Sequence, residues 1–231
     1  MTLQDSSTEA PARGQRWRVD LVLGLIVVMA LLVLGIAAKQ PSVTAADVAL
    51  DEGMAAGRVA PLTSLAQLLT TMAQPAVGVA AAVLVPSVLF LLGRRLMAVR
   101  MLGLFGVALA GASVVKVLIG EPRPPAALAA VAADTGHSFP SGHVTVAATV
   151  CAAVWVLTRR SDLAWRIIVG AVAAAFAVGV GWSRLYLGVH YLPDVVGSYL
   201  VAASAVLLVS AFLGVPAVRG LLGRRRLAAS R

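Results

Sequence analysis

The sequence predicts an all-α membrane protein, a bundle of six transmembrane helices with its candidate functional site on the extracytoplasmic side. Of its 231 residues, 60% are hydrophobic and only 13% are charged, and the mean hydropathy is +0.92. A soluble domain usually carries about 25% charged residues. The composition therefore excludes an ordinary soluble globule and a disordered chain.

Six apolar runs reach, or nearly reach, the roughly 20 residues that a helix needs to cross a bilayer. They are residues 21–38, 75–92, 101–119, 144–158, 164–182 and 195–215. The fourth run is short, but Gly142 and His143 can extend its first turn. The first run is longer than the apolar region of a signal peptide and lacks a good cleavage site, which favours a retained helix.

These runs divide the chain into a polar cytoplasmic tail at 1–18, a transmembrane domain at 19–215 and a basic cytoplasmic tail at 216–231. The loop at 40–74 is too long for a bare turn, and we expect an amphipathic helix near 45–56. The net charge of +9 does not indicate nucleic-acid binding, because the cations occur in small groups between apolar runs. That pattern is typical of loops at a membrane surface, so the predicted partner is the bilayer.

The distribution of Lys and Arg predicts the orientation, because cytoplasmic loops are enriched in these residues. Fourteen of the 19 cations fall in the two tails, in the loops after the second and fourth runs, or, for Arg166, in the first turn of the fifth run. The other side holds only five, which are Lys39, Arg58, Lys116, Arg123 and Arg184. We therefore expect a multi-pass protein of the cell membrane with both termini in the cytoplasm.

Polar residues gather at the outer ends of the last four predicted helices. The third run ends near Lys116 and is followed by Arg123, and Ser141-Gly142-His143 opens the fourth. The remaining residues are at the end of the fifth run and just before the sixth: Ser183, Arg184, His190 and Asp194. The predicted topology brings all of these groups to one face of the membrane.

This set of residue types indicates phosphate chemistry. Arginine binds phosphate oxygens through two parallel donors, and a helix N-terminus offers free amides and a positive dipole end. One histidine can attack phosphorus while the other protonates the departing oxygen. A carboxylate such as Asp194, four residues after His190, can fix the tautomer of the attacking imidazole.

At these positions the chain resembles the type 2 phosphatidic acid phosphatase family, integral-membrane lipid phosphate phosphatases of the phosphatase/haloperoxidase superfamily. The motifs of that family are K-x6-R-P, P-S-G-H and S-R-x5-H-x3-D. All three occur here within residues 116–194 with every spacing kept, as Lys116…Arg123-Pro124, Pro140-Ser141-Gly142-His143 and Ser183-Arg184…His190…Asp194.

The resemblance implies a six-helix hydrolase that acts on phosphoric ester or diphosphate bonds of lipids without a metal or other cofactor. By position it implies that His190 is the nucleophile that forms a phosphohistidine, that Asp194 is its partner and that His143 is the general acid. The residues that it implies for phosphate binding are Lys116, Arg123, Ser141, Gly142, Ser183 and Arg184. The expected substrate is a lipid phosphate in the outer leaflet: an undecaprenyl-type diphosphate, narrowly ranked first, or phosphatidate or phosphatidylglycerophosphate.

Other functions stay open on the sequence alone. A transporter is the alternative from another class, but transport sites lie near the bilayer midplane, whereas these polar groups lie at helix ends. A catalytically silent protein that binds lipid phosphates would carry the same motifs. Vanadate-dependent haloperoxidases have a similar pocket, but they are soluble and larger.

The predicted orientation can be tested by cysteine labelling. A cysteine introduced by Thr135→Cys should react with a membrane-impermeant thiol reagent added outside intact cells, because residue 135 lies in a loop of the cation-poor side. A cysteine introduced by Ser161→Cys should stay protected, because its loop carries Arg159, Arg160 and Arg166. The opposite labelling pattern would contradict an outward-facing site.

Overall fold

The computed structural model describes residues 15–132, 134–216 and 218, and within them the chain is all-helical, without strands. The α-helices are α1 (Arg16–Ala38), α2 (Pro41–Ala56), α3 (Ala60–Met72), α4 (Pro75–Leu91), α5 (Arg95–Ile119), α6 (Gly142–Thr158), α7 (Leu163–Tyr186) and α8 (Leu192–Gly214). A short 3₁₀ turn forms at Ala126–Leu128. The all-α fold class is confirmed. The predicted tails, 1–18 and 216–231, fall largely outside the described residues.

Five helical segments of the described chain are long and apolar enough to cross a membrane: Arg16–Ala38, Ala60–Leu91, Arg95–Ile119, Leu163–Tyr186 and Leu192–Gly214. The segment Ala60–Leu91 includes both α3 and α4, which are separated by two residues. The predicted fourth span corresponds to α6, an apolar helix of 17 residues that is shorter than the other five. The six predicted runs therefore all become helices, and five of them fall in segments of spanning length.

Large apolar side chains are exposed along the outer faces of these helices. Val33 on α1, Leu84 on α4, Val117 on α5 and Val172 on α7 each leave 60% or more of their surface uncovered. Soluble proteins rarely expose continuous apolar surface of this extent. Contact with lipid hydrocarbon explains why these faces are apolar although no protein covers them.

The loop predicted at 40–74 is mostly helical. The helix expected near 45–56 begins earlier, at Pro41, where proline fits the first helical turn because its missing N–H needs no partner there. A second helix, α3, was not foreseen. Arg58, between the two, donates hydrogen bonds to the carbonyl oxygens of Tyr186 (2.8 Å) and Leu128 (2.6 Å). These bonds hold α2 and α3 against the end of α7 that carries Arg184.

Helix α1 packs along α8, and α8 also contacts α5 and α6. Phe139, in the segment that leads into α6, is fully buried where α1, α5 and α8 meet. Glycines make room for its ring on two sides. A Cβ atom at Gly197 of α8 would lie 2.5 Å from two ring atoms of Phe139, and one at Gly35 of α1 would lie 2.8 Å from a third.

Replacing Gly197 with alanine should destabilise the protein, because the added methyl group would overlap the buried ring of Phe139. Overpacking of this kind costs about 1–3 kcal/mol. We expect Gly197→Ala to lower the thermal unfolding midpoint in detergent. Gly106→Ala on α5 is the matched control, since a Cβ there meets nothing within 4 Å. Equal midpoints for the two variants would contradict close packing at Phe139.

Candidate active site

The residues singled out in the sequence occupy one end of the helix bundle. Lys116 lies in the last turn of α5 and Arg184 in the last turn of α7. Ser141 precedes α6, which begins with Gly142 and His143, and Asp194 lies in the first turn of α8. Side-chain contacts join most of these elements to one another.

The carboxylate of Asp194 is fully buried and accepts hydrogen bonds through one oxygen, Oδ2. Its partners are Nδ1 of His190 at 2.9 Å, the backbone N–H of Tyr191 at 2.9 Å and the hydroxyl of Ser138 at 2.5 Å. His190 lies in the segment just before α8, and Asp194 lies in the first turn of that helix. Three donors around one oxygen fix both the carboxylate and the imidazole.

This arrangement decides the tautomer of His190. Because Nδ1 faces a carboxylate, it carries the proton, and Nε2 keeps its lone pair. The Nη1 atom of Arg123 lies 3.3 Å from Nε2. Burial lowers the pKa of His190 to about 4, with Arg184 and Arg123 acting in the same direction and Asp194 opposing them. The side chain is therefore a neutral imidazole near pH 7, with Nε2 directed towards Arg123.

The start of α6 is tied to the same region. The backbone N–H of Ser141 donates to the carbonyl oxygen of Asp194, and the hydroxyl of Ser198 donates to the carbonyl oxygens of both Ser141 and Asp194. The hydroxyl of Ser141 is buried without a hydrogen-bond partner. An unused donor beside free helix-terminal amides is suited to an anion.

The three cations donate to different groups around the site. Lys116 donates to the carbonyl oxygens of His137 (2.7 Å) and Ser138 (3.2 Å). Arg123 donates to the carbonyl oxygens of Gly136 and Val189. Both cations therefore fix the loop that precedes α6.

The third cation, Arg184, is buried and bonds two side chains that the sequence reasoning missed. It donates to the hydroxyl of Thr70 on α3 at 2.7 Å and to the carboxylate of Asp134 at 2.9 Å. The same oxygen of Asp134 lies 3.4 Å from Nδ1 of His143. Of the predicted residues, Ser183 alone uses its hydroxyl inside its own helix, where it donates to the carbonyl oxygen of Val180.

Little in the sequence could have revealed these additional residues. Ser138 stands two positions before a recognised motif, but a lone serine carries no signal of its own. Thr70 lies in a helix that was not foreseen, and Asp134 lies in a loop without a motif. Among the described residues, no group of three or more His, Cys, Asp or Glu side chains is arranged to hold a metal ion.

Glu121 has a buried carboxyl group close to Asp194. Burial raises its pKa to about 9, and the neighbouring carboxylates of Asp194 and Asp47 act in the same direction, opposed by Lys39. Helix α2 adds a further buried carboxyl group, that of Asp51. Burial, together with the neighbouring Asp47, raises the pKa of Asp51 to about 7. The protein therefore holds Glu121 in its protonated form at neutral pH.

Comparison with known proteins identifies the family of this chain. The model of the PAP2 superfamily matches residues 97–215, which is slightly more than half of the chain. The chain belongs to the PAP2 superfamily. The match includes every residue predicted for the site.

Two curated proteins of Bacillus subtilis resemble parts of this PAP2 chain. It is 35% identical to phosphatidylglycerophosphatase B over 82 residues and 38% identical to undecaprenyl-diphosphatase BcrC over 87 residues. The matches cover 34% and 36% of this chain and span 40% of the length of each relative.

A solved structure extends the similarity to most of the fold. The crystal structure of a transmembrane PAP2-type phosphatidylglycerolphosphate phosphatase from Bacillus subtilis superposes with a TM-score of 0.71 at 26% identity. The match covers 82% of this chain and 94% of that one. Together with the apolar helices, it identifies this PAP2 protein as a multi-pass membrane protein.

The protonated state of Glu121 in this PAP2 site has a consequence for stability. Its pKa is raised from 4.5 to about 9, so the folded state holds a proton that the unfolded chain releases in this range. The contribution to stability is therefore largest below pH 4.5 and is lost as the pH rises towards 9. Glu121→Gln, which resembles the protonated acid at every pH, should flatten the fall of the thermal midpoint with pH.

The measurement is the thermal midpoint in detergent across this pH range, compared between variants. Glu52→Gln is the control, because Glu52 is exposed on α2, and its curve should run parallel to that of the unmodified protein. A Glu121→Gln curve that is also parallel would mean that Glu121 ionises normally.

Proposed function

We propose that the protein is a phosphatase that removes the terminal phosphate from a lipid phosphate or diphosphate of the membrane. The observation that carries this proposal is the buried pair of His190 and Asp194, which leaves Nε2 of His190 unprotonated and directed towards Arg123. Membership of the PAP2 superfamily and the names of the relatives support the same reaction.

In the proposed mechanism His190 is the nucleophile. Nε2 attacks phosphorus, a nitrogen–phosphorus bond forms, and the bond from phosphorus to the leaving oxygen breaks. His143 gives its proton to that oxygen. Water then attacks phosphorus in the phosphohistidine and passes a proton to His143. The nitrogen–phosphorus bond breaks, so orthophosphate is released and His190 is restored. The imidazole gains positive charge when Nε2 attacks. Asp194 stabilises this charge because its carboxylate accepts the hydrogen bond from Nδ1.

The developing charge on the phosphoryl group would be stabilised by Lys116, Arg123 and Arg184 together with the start of α6. Fixed donors aimed at the position where charge develops are worth several kcal/mol in catalysis. Ser141 and the backbone of Gly142 would bind further phosphoryl oxygens, and Ser183 would support this set from the last turn of α7. With three cations in these positions, we propose that the reaction requires no metal ion.

The substrate class follows from the bilayer and the relatives. The candidates are an undecaprenyl-type diphosphate, phosphatidate and phosphatidylglycerophosphate, and the two curated relatives support the first and the last by their names. We propose that the site faces the outer leaflet, because the excess of cations lies at the opposite ends of the helices. The cysteine-labelling experiment tests this orientation separately from the activity.

The proposed function is tested by phosphate release from these lipids in detergent with excess EDTA present. His190→Ala should abolish turnover of every substrate, because no nucleophile remains. His143→Ala should reduce turnover of phosphatidate by about 10²–10⁴-fold, the usual contribution of a general acid. It should reduce turnover of p-nitrophenyl phosphate much less, since that leaving group departs without a proton.

His137→Ala is the matched control, because His137 is the remaining histidine and its side chain is exposed. Its turnover should equal that of the unmodified protein on both substrates. Failure of the unmodified protein to release phosphate from any lipid would contradict the proposed function and favour a lipid-binding or transport protein. Loss in EDTA that Mg²⁺ or Zn²⁺ restores would contradict the metal-independent mechanism.

A further inference from the structure

Asp134 places a carboxylate against two residues of the proposed phosphate site. Its Oδ2 lies 2.9 Å from Nη2 of Arg184 and 3.4 Å from Nδ1 of His143. The side chains of Arg184 and His143 are 3% and 6% exposed, so they have little surface left for another anion. Asp134 itself keeps 46% of its side-chain surface exposed.

This carboxylate lies between Arg184 and His143, where the proposed reaction would place a phosphoryl oxygen. Carboxylate and phosphate both accept paired hydrogen bonds from a guanidinium group. In the proposed reaction Arg184 binds the phosphoryl group and His143 protonates its leaving oxygen. Two anions at the same Nη2 donor would repel each other, so the carboxylate and a phosphoryl oxygen would compete for that donor.

Described residues on either side of Asp134 are hydrogen-bonded to other parts of the protein. The N–H of Ala130 donates to the carbonyl oxygen of Leu187, and Arg123 donates to the carbonyl oxygen of Gly136. Asp134 therefore lies between two residues, Ala130 and Gly136, that are hydrogen-bonded to other parts of the protein. Because its side chain is half exposed, a change of rotamer can carry the carboxylate into solvent without unfolding the loop.

Asp134 does not use every donor of the proposed site. Nε of Arg184 and the hydroxyl of Ser141 are buried without hydrogen-bond partners. A carboxylate offers two oxygens in one plane, whereas a phosphoryl group offers three in a tetrahedral arrangement. The unused buried donors therefore fit a phosphoryl group better than they fit Asp134.

We infer that Asp134 is an intramolecular competitor for the phosphoryl position, and that it lowers the affinity of the site for free orthophosphate and for similar anions. This inference rests on the proposed function, since it concerns the same site. A lipid substrate also binds through its hydrocarbon chain. The product orthophosphate binds only through its phosphoryl oxygens, for which Asp134 competes. The carboxylate would therefore favour release of the product and selectivity for phosphate attached to a lipid.

The size of the effect follows from simple competition. When only a fraction of the molecules leaves the position free, the apparent dissociation constant equals the intrinsic one divided by that fraction. A carboxylate that occupies the position about 90% of the time would weaken anion binding roughly tenfold. Removing this competitor should therefore strengthen binding, although a mutation in a binding site usually weakens it.

The test is calorimetric titration of the detergent-solubilised full chain with orthophosphate and with vanadate. Asp134→Asn and Asp134→Ala should both lower the dissociation constants about tenfold. Glu52→Gln removes the same charge from an exposed position on α2 and should leave them unchanged, which controls for long-range electrostatics. Thermal midpoints measured on the same samples verify that each variant is folded.

Unchanged or weaker binding in both Asp134 variants would overturn the inference, because it would mean that the carboxylate stays in place and supports the site. Tighter binding in Glu52→Gln to the same degree would also overturn it, since net charge alone would then explain the change. The dissociation constants are measured without turnover. Failure of this inference is thus distinct from failure of the phosphatase proposal, which phosphate release from lipids decides.

Discussion

The buried carboxylate of Asp194 is the interaction on which the rest of the site depends. Its Oδ2 accepts hydrogen bonds from Ser138, His190 and the backbone N–H of Tyr191. Its main-chain oxygen accepts hydrogen bonds from the backbone N–H of Ser141 and the hydroxyl of Ser198. One residue thus joins the start of α8, the segment before it and the entry to α6. A buried charge is tolerated only when hydrogen bonds compensate for the lost water, so these segments have to assemble together.

The cations of the site have a structural role in addition to their proposed role in binding. Lys116 and Arg123 direct donors at main-chain oxygens of the loop before α6, and Arg184 joins α7 to α3 through Thr70. Each positive charge therefore has protein partners that set its position. This is the condition for electrostatic stabilisation that needs little reorganisation during a reaction.

The sequence predicted the apolar helices better than it predicted the side-chain contacts between separate segments. Long apolar runs and three motifs with fixed spacing are local signals, so the apolar helices and all nine proposed site residues could be named from them. The contacts of Asp134, Thr70 and Ser138 depend on how separate segments meet in space, which no local pattern records. Helix α3 was missed for a different reason: it belongs to an apolar segment, Ala60–Leu91, of which the sequence analysis assigned only the part from residue 75 onwards to a helix.

The buried ring of Phe139 makes the part of the chain at residues 97–215 depend on helix α1. It lies between Gly197 of α8 and Gly35 of α1, next to the Ser138 hydroxyl that bonds Asp194. Helix α1 precedes residues 97–215, the part that carries the family signature. A minimal fragment limited to that signature would lack one wall of the cavity that holds the ring. Helix α1 is thus part of the folded unit that holds the proposed site, and a generic membrane anchor of equal length could not replace it without a matching glycine.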